Sequence, residues 1–539
     1  MELETAPLVH SPLAGGPHRV SRAFVRVHSG RTRWLVEADL GGDLLDVESP
    51  SGLPLEDWLA SGAAEVVKSG PHRAVYRLSL PAGEFYLKHY RIPGPRAALQ
   101  NVIRPCKAML EWTAIRRVAE CGIPTTRPVA VGRTFAGWRI GDNYLVTRSI
   151  AGAEPLQDFV LHALPVLAAA RQARLRQEIA TGLGRLAGRL HRGRLVHDDF
   201  HAGNVLVRLD DDDRVRLWLI DLHAVSRRWW PAPREQRANL ASLGHFFTAL
   251  AGRTDRLRFY RAYWLEREGT TWGRLAAGED DSPTPRPARP FRAGPLRARF
   301  ARAAREVETF CRRASDQAFH RDDRKWRRRN RRVRILNAPG RHARGLAELG
   351  EDVLRKVCDR PDDVFRAACV RHWIRRDPAG RVAMVTLEGG RASGTCRAAW
   401  WPARREAPRS LPGSVPLTRL IRPVRWLSSP RTSTARRAWE TGHALLRRRI
   451  PVAKPLLFVE TLDGEGAGSL LLVEVPRDAV PLDTVLRRHA AVGERHGDSL
   501  LRAIQGNLAD LVRGLHAAGF EHGGLAASQI LIAADRQPV

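Results

Sequence analysis

Three oxygen-bearing side chains carry most of the chemical information in this 539-residue sequence: Asp199, Asn204 and Asp221. The first two belong to the run His197-Asp198-Asp199-Phe200-His201-Ala202-Gly203-Asn204. Asp199 stands five residues before Asn204, so a tight loop can turn its carboxylate toward an acceptor hydroxyl while the Asn amide oxygen turns toward a metal ion. Seventeen residues after Asn204, Asp221 closes the apolar run Leu217-Trp218-Leu219-Ile220, a strand whose end can deliver a second carboxylate to the same metal. Phosphoryl transfer from ATP asks little covalent chemistry of a protein. It needs a base facing the acceptor and hard oxygen ligands that hold Mg²⁺ on the phosphates. Asp199 fits the base, and Asn204 with Asp221 fits the metal and cofactor ligands. A random polar loop between two strands would not explain the second Asp at that distance behind a strand.

With Val205-Leu206-Val207 at its end, this loop resembles that of the lipopolysaccharide kinases, members of the protein-kinase-like superfamily that phosphorylate heptose or Kdo sugars of the inner core. Their pattern H-x-D-[LF]-H-x-G-N is matched here without a gap, and Asp221-Leu222-His223 stands where eukaryotic protein kinases have Asp-Phe-Gly. The resemblance implies further parts in order. Phe85-Tyr86-Leu87-Lys88-His89-Tyr90 resembles the strand whose Lys grips the α and β phosphates, and Glu111, in Leu110-Glu111-Trp112, is the implied ion-pair partner of Lys88. Lys68-Ser69-Gly70-Pro71-His72-Arg73 takes the place of the phosphate-covering turn, with Ser69 and Gly70 against the nucleotide and one Gly where a protein kinase has three. Thr147-Arg148-Ser149 falls at the hinge, where main-chain groups of Thr147 and Ser149 would meet adenine. His197 and His201 read as braces of the loop, and Asp210 to Asp213 as a solvated hairpin turn.

The elements that must position these residues can be read from periodicity. Glu65 to Lys68, Ala74 to Leu80 and Glu84 to Tyr90 alternate as three strands, the last two split by Pro81-Ala82-Gly83. Ala108 to Glu120 has helical spacing and stops at Cys121-Gly122-Ile123-Pro124. Strands are expected at Val129 to Gly132 and Tyr144 to Arg148, then helices at Leu156 to Ala170 and Arg174 to His191. The expectation is an α+β, bilobal protein-kinase-like domain over residues 61–335, with a small antiparallel lobe to about 150 and a helical lobe from 151. Residues 1–60 hold short apolar runs at Phe24 to Val27 and Trp34 to Val36 and form a segment of unknown role. Asp280 to Arg297 reads as a Pro- and Arg-rich loop.

The chain then begins again. Leu190-His191-Arg192-Gly193-Arg194-Leu195-Val196-His197 lines up with Leu515-His516-Ala517-Ala518-Gly519-Phe520-Glu521-His522, and Gly122-Ile123-Pro124 with Arg449-Ile450-Pro451. Residues 345–539, with a strand at Arg381 to Leu387, a turn at Gly389-Gly390 and a helix at Ala435 to Arg448, are expected to be a degenerate, truncated second copy. There Gly524 faces Asp199, Gln529 faces Asn204 and Ala438 faces Glu111; Arg397 is the candidate to replace Lys88, and an equivalent of Asp221 would fall beyond Val539. A partner is one way to cover the apolar surface of such a copy.

Composition sets outer bounds. The length allows at least two domains, and 43% hydrophobic residues mark a folded protein. The net charge of +32 invites a nucleic-acid reading, but only six residues are Lys and the Arg residues are scattered through every segment without a recognition motif. A GC-rich coding bias or attraction to an anionic membrane or substrate accounts for them, and no nucleic-acid partner is expected. The six Cys show no C-x-x-C spacing and read as reduced thiols. With no apolar leader and no apolar stretch of membrane-spanning length, a cytoplasmic protein is expected, peripheral at the inner membrane at most. The implied activity is ATP- and Mg²⁺-dependent phosphorylation of a sugar or glycolipid. The alternatives are a protein serine/threonine or other small-alcohol kinase of the same fold, and a non-catalytic nucleotide-binding scaffold.

Overall fold

The computed structural model describes residues 4–5, 23–92, 106–268, 294–402 and 433–533, apart from positions 47, 50, 137–138, 230–231, 249, 378–379, 388–393, 463–466, 477–478, 493–497 and 523–524. The chain divides into two compact units, residues 1–315 and 316–539.

The first unit opens with an antiparallel sheet in the order Glu4–Thr5, Phe24–Ser29, Thr32–Glu37, Pro128–Ala136, Arg139–Arg148, Gly83–Tyr90, Arg73–Leu80, Ala64–Ser69. Alternation decides its faces: Phe85 and Leu87 are buried on one side of their strand, which leaves Lys88 and Tyr90 for the other chemistry. The boundary drawn at residue 60 is corrected here, because Thr32 to Val36 pair with Thr134 to Ala130 inside this sheet. Trp34 locks that edge. Its Nε1 donates to the Ser51 carbonyl at 3.0 Å, and its ring lies so close to Gly132 that a Cβ there would stand 2.7 Å from it.

The helix expected at Ala108 to Glu120 forms, over Lys107–Glu120, but Leu156 to Ala170 does not run as one helix. It breaks into a short α turn, a π segment at Phe159–Ala163 and a 3-10 turn at Leu164–Val166, since Pro165 lacks the N–H that would continue the ladder. The long helix Ala169–Arg192 then packs on Arg253–Glu268. Gly184 and Gly188 make the approach close: a Cβ on Gly184 would lie 2.4 Å from the Phe259 carbonyl oxygen, and one on Gly188 2.7 Å from that of Tyr263. Two small sheets present the loops, Leu195–His197 with Val225–Arg227, and Glu154–Pro155 with Val205–Leu209 and Val215–Leu219. Asp210 turns between the last two strands, where Asp213 pairs with Arg171 and Arg174.

The second unit repeats the strand order: Val333–Ala338, Arg341–Leu346, Pro455–Thr461, Gly468–Glu474, Gly394–Pro402, Gly380–Leu387, Val370–Asp377. Its first two strands match Phe24–Ser29 and Thr32–Glu37, so the copy starts near residue 333, and the boundaries at 335 and 345 cut through its first hairpin. The repeated segments Ala38-Asp39-Leu40-Gly41-Gly42-Asp43-Leu44-Leu45 and Ala347-Glu348-Leu349-Gly350-Glu351-Asp352-Val353-Leu354 mark the same register in the sequence. The helix Thr434–Arg447 repeats Lys107–Glu120, and Trp439, like Trp112, is buried. The strand Leu531–Ile532 pairs with Val480–Pro481 as Leu206 and Val207 pair with Pro155 and Glu154. Leu206 and Val207 are the last residues of the first unit whose counterparts are seen among the described residues of the second. Residues 280–293 and Gly389-Gly390 lie outside the described residues, and the backbone is helical from Gly294. Among the described residues no helix is long and apolar enough to cross a membrane.

Replacing Gly184 by Ala sets a helix-propensity gain of about 1 kcal/mol against a carbonyl clash, and overpacking of this kind costs about 1 to 3 kcal/mol. The expected outcome in urea titration is a lower midpoint for Gly184→Ala, while Gly514→Ala, whose Cβ meets nothing within 4 Å, leaves the midpoint unchanged or raised.

Candidate active site

The loop from His197 to Asn204 is assembled from buried polar contacts. Leu195–His197 ends in a buried His, whose main chain is clamped by one side chain from the helix Pro233–Phe247: Asn239 Oδ1 accepts from the His197 amide at 2.9 Å, and Asn239 Nδ2 donates to the His197 carbonyl at 3.1 Å. His197 Nδ1 then accepts from the Asp199 amide at 3.2 Å, and His201 Nδ1 from that of Gly203 at 3.1 Å. Both imidazoles therefore shape the loop. His191 lies behind, with Nδ1 2.9 Å from the Tyr263 hydroxyl. Asn204 is buried, and its Nδ2 donates to the Asp199 carbonyl at 2.9 Å and lies 3.4 Å from Asp199 Oδ2, so the amide oxygen points away from Asp199. The Asp199 carboxylate itself is exposed, near His201 Nε2 at 3.5 Å.

Asp221 arrives from the neighbouring strand. The Ile220 amide donates to the Asn204 carbonyl at 2.9 Å, which sets Asp221 beside the end of that loop. A second tie comes from the break after the Glu111 helix, where Thr125 Oγ1 donates to the Leu219 carbonyl at 2.7 Å and the Leu219 amide to that of Pro124 at 2.9 Å. Asp221 takes φ of 58°, a left-handed conformation that aims its carboxylate off the strand line.

The carboxylate meets the small lobe. Lys88 Nζ donates to Glu111 Oε1 at 2.5 Å and to Asp221 Oδ1 at 3.0 Å. Glu111 is only 1% exposed, which an unpaired carboxylate would not tolerate, and its other oxygen accepts from the Tyr90 hydroxyl at 2.6 Å. Arg73 donates to Asp221 from 3.2 Å, and His223 Nδ1 lies 2.9 Å from the same Oδ1. Burial alone would push the Asp221 carboxyl up, but the His223 hydrogen bond and the charges of Lys88 and Arg73 outweigh it and hold the group far below the usual carboxylate range. Burial and the Glu111 charge drive the Tyr90 phenol well above its ordinary value.

Lys88, Glu111 and Asp221 thus meet directly, and Asn204 and Asp199 adjoin them through the loop from His197 to Asn204. The covering turn contributes through its last residue: the Gly70 amide donates to the Arg73 carbonyl at 3.0 Å. Among the described residues no contact places Ser69 in the cluster. At the hinge, Thr147 is buried in the sheet opposite Tyr86, and the Ser149 amide already donates to the Glu84 carbonyl at 2.9 Å, so a purine would have to find its donor elsewhere in this stretch. Arg73, Tyr90, His223 and Asn239 were not expected from the sequence. Tyr90 stands two residues after Lys88 and so shares its face, a signal that strand alternation offers; Asn239 carries no local signal.

The donor set can be tested against the expected magnesium. Glu111, Asp221 and His223 bring one ligand atom each within 4.8 Å of one another, but Glu111 is held by Lys88 and Tyr90, and an imidazole is not a hard oxygen donor. The Asp221 carboxylate with the outward amide oxygen of Asn204 fits Mg²⁺ better.

In the second unit the register moves one expectation. Ala108 donates its amide to Asn143 Oδ1, and Ala435 donates likewise to Ser469 Oγ, which makes Ser469 the counterpart of Asn143. Two residues on, Leu145 pairs with Lys88 and Leu471 with Ala399. Ala399 therefore holds the Lys88 position, and Arg397 corresponds to Tyr86, two residues earlier along the strand on the same face. Gly524 lies outside the described residues, and Gln529 ends a 3-10 turn as Asn204 does.

The family model of the lipopolysaccharide kinase (Kdo/WaaP) family matches residues 65–263 and again 417–538. One relative, the lipopolysaccharide core heptose(I) kinase WaaP of Pseudomonas aeruginosa, is 28% identical over 202 residues, which cover 36% of this chain and 74% of that protein. A solved structure of WaaP in complex with acyl carrier protein is 23% identical, covers 47% of this chain and 92% of its own, and aligns with a TM-score of 0.31.

Burial pulls the His191 and His197 imidazoles down to about 4. An unfolded His titrates near 6.5, so between pH 6.5 and 4 the unfolded chain binds more protons and stability falls as the pH is lowered. Each imidazole contributes about 3 kcal/mol that is present in full above pH 6.5 and lost below pH 4. Urea midpoints are expected to drop across that window, and NMR titration is expected to find both rings neutral down to about pH 4; rings that protonate near 6.5 would contradict this.

Proposed function

This chain belongs to the lipopolysaccharide kinase (Kdo/WaaP) family, and on that premise we propose that it transfers the γ-phosphate of ATP to a hydroxyl of an inner-core sugar, heptose or Kdo. It is a kinase; the donor, the metal and the acceptor are the proposed part. The observation that carries the reading is the meeting of Lys88 with Glu111 at 2.5 Å and Asp221 at 3.0 Å, beside an exposed Asp199. Lys88, fixed by Glu111, orients the phosphates of ATP. Asp199 accepts the proton of the acceptor hydroxyl, and its exposure leaves room for a bulky sugar. Asn204 and Asp221 hold Mg²⁺, which when bound neutralises charge on the transferred phosphoryl group. An acceptor anchored in lipid puts the reaction at a membrane surface, where a net charge of +32 suits anionic headgroups.

Asp199→Asn removes the base without changing the size of the side chain. Turnover is expected to fall by about 10² to 10⁴. The assay is label transfer from radiolabelled ATP to purified lipid A-core, with generic protein substrates in parallel. Label that enters protein and never the core would point to a protein kinase; nucleotide binding with no turnover in either arm would point to a scaffold.

The second unit, in this reading, is a non-catalytic copy. Ala399 and Ala438 at the Lys88 and Glu111 positions support it, since neither can hold a phosphate or orient a group that does. Calorimetric titration of the full chain with Mg²⁺-ATP is expected to give one nucleotide per chain. A stoichiometry of two would overturn the assignment.

A further inference from the structure

Asp221 is surrounded by more positive charge than one carboxylate needs. Lys88 reaches Oδ1 at 3.0 Å, and Arg73 reaches Oδ1 at 3.2 Å and Oδ2 at 3.4 Å. Counted together, Arg73 and Lys88 balance Glu111 and Asp221. Arg73 pairs with Tyr90 across the sheet and Val75 with Lys88, so Arg73, Tyr90 and Lys88 share one face of it. The Arg73 side chain is 25% exposed against 13% for Lys88, which puts the guanidinium on the solvent side of the cluster.

This balance holds only while Asp221 has no other cation. A divalent metal on Asp221 adds two positive charges to a neutral group, and two cations within 3.4 Å of that carboxylate then repel it. Lys88 retains Glu111. Among the described residues Arg73 has no hydrogen bond to a second carboxylate, so it gains by turning to an anion that arrives with the metal. A guanidinium fork matches two phosphate oxygens, and the turn that carries Arg73 is the one in the phosphate-covering position. We infer that Arg73 is a second phosphate-binding cation of this site, resting on Asp221 in the free protein and transferring to the β and γ phosphates when the metal-bound nucleotide enters. The inference rests on the kinase reading above.

The test measures the affinity of the full-length protein for Mg²⁺-ATP, Mg²⁺-ADP and adenosine, with wild type, Arg73→Gln and Arg73→Lys, after melting curves without nucleotide. One charge-assisted bidentate contact corresponds to about 10- to 100-fold in affinity. Arg73→Gln is expected to weaken ATP and ADP by that factor and leave adenosine unchanged, and Arg73→Lys, which keeps the charge and loses the fork, to fall between. If Arg73 merely shields Asp221, Arg73→Gln binds Mg²⁺-ATP as well as wild type or better, and the inference fails with the kinase reading intact. Should Arg73→Gln not fold, Arg73→Lys decides, wild-type affinity for ATP overturning the proposal. A wild-type chain that binds no ATP would overturn the kinase reading itself, and this inference with it.

Discussion

The site of the first unit depends on one electrostatic constraint: two carboxylates from different elements, Glu111 and Asp221, share the Lys88 ammonium between them. A buried carboxylate is costly unless it is paired and hydrogen-bonded, and Glu111 is both, through Lys88 and Tyr90. Each neighbouring feature serves this meeting. The sheet alternation turns Lys88 and Tyr90 to one face, the helix Lys107–Glu120 brings Glu111 beneath them, and the Thr125 bond to Leu219 carries the Asp221 strand to the same place.

The loop from His197 to Asn204 obeys a second rule, that buried polar groups rigidify only when they are satisfied. Asn239 closes both main-chain groups of His197, and His197 in turn receives the Asp199 amide. The carboxylate expected to act as a base is left exposed on a backbone held from behind, an arrangement that favours positioning over burial. The same buried imidazoles tie the rigidity of the loop to pH.

The duplicated unit keeps the sheet and the helix without the Lys88–Glu111 pair. Removing one member of a buried ion pair strands the other, whereas removing both leaves little penalty. Ala399 and Ala438 stand for Lys88 and Glu111 together, and the apolar partners Trp439 and Ala435 remain at the Trp112 and Ala108 positions. The charges could be dropped as a pair because the sheet and helix are held by apolar burial rather than by the cluster.

Much of this was legible in the sequence. The spacing of Asp199, Asn204 and Asp221 and the strand and helix periods around Lys88 and Glu111 are local properties, set by two-residue and 3.6-residue repeats. Two aligned segments, Leu190 to His197 with Leu515 to His522 and Gly122 to Pro124 with Arg449 to Pro451, exposed the duplication, though not its start, because the first hairpin of each copy pairs with strands about a hundred residues away. Register across a sheet is likewise non-local, which is why Arg397 looked able to replace Lys88 until the pairing with Leu471 put Ala399 there. Arg73 on Asp221 and Asn239 under His197 join residues 148 and 42 apart in the chain. Residue types and short-range spacing determined the chemistry on offer; only the folded chain decided which charges face each other, because that depends on how distant strands and helices pack.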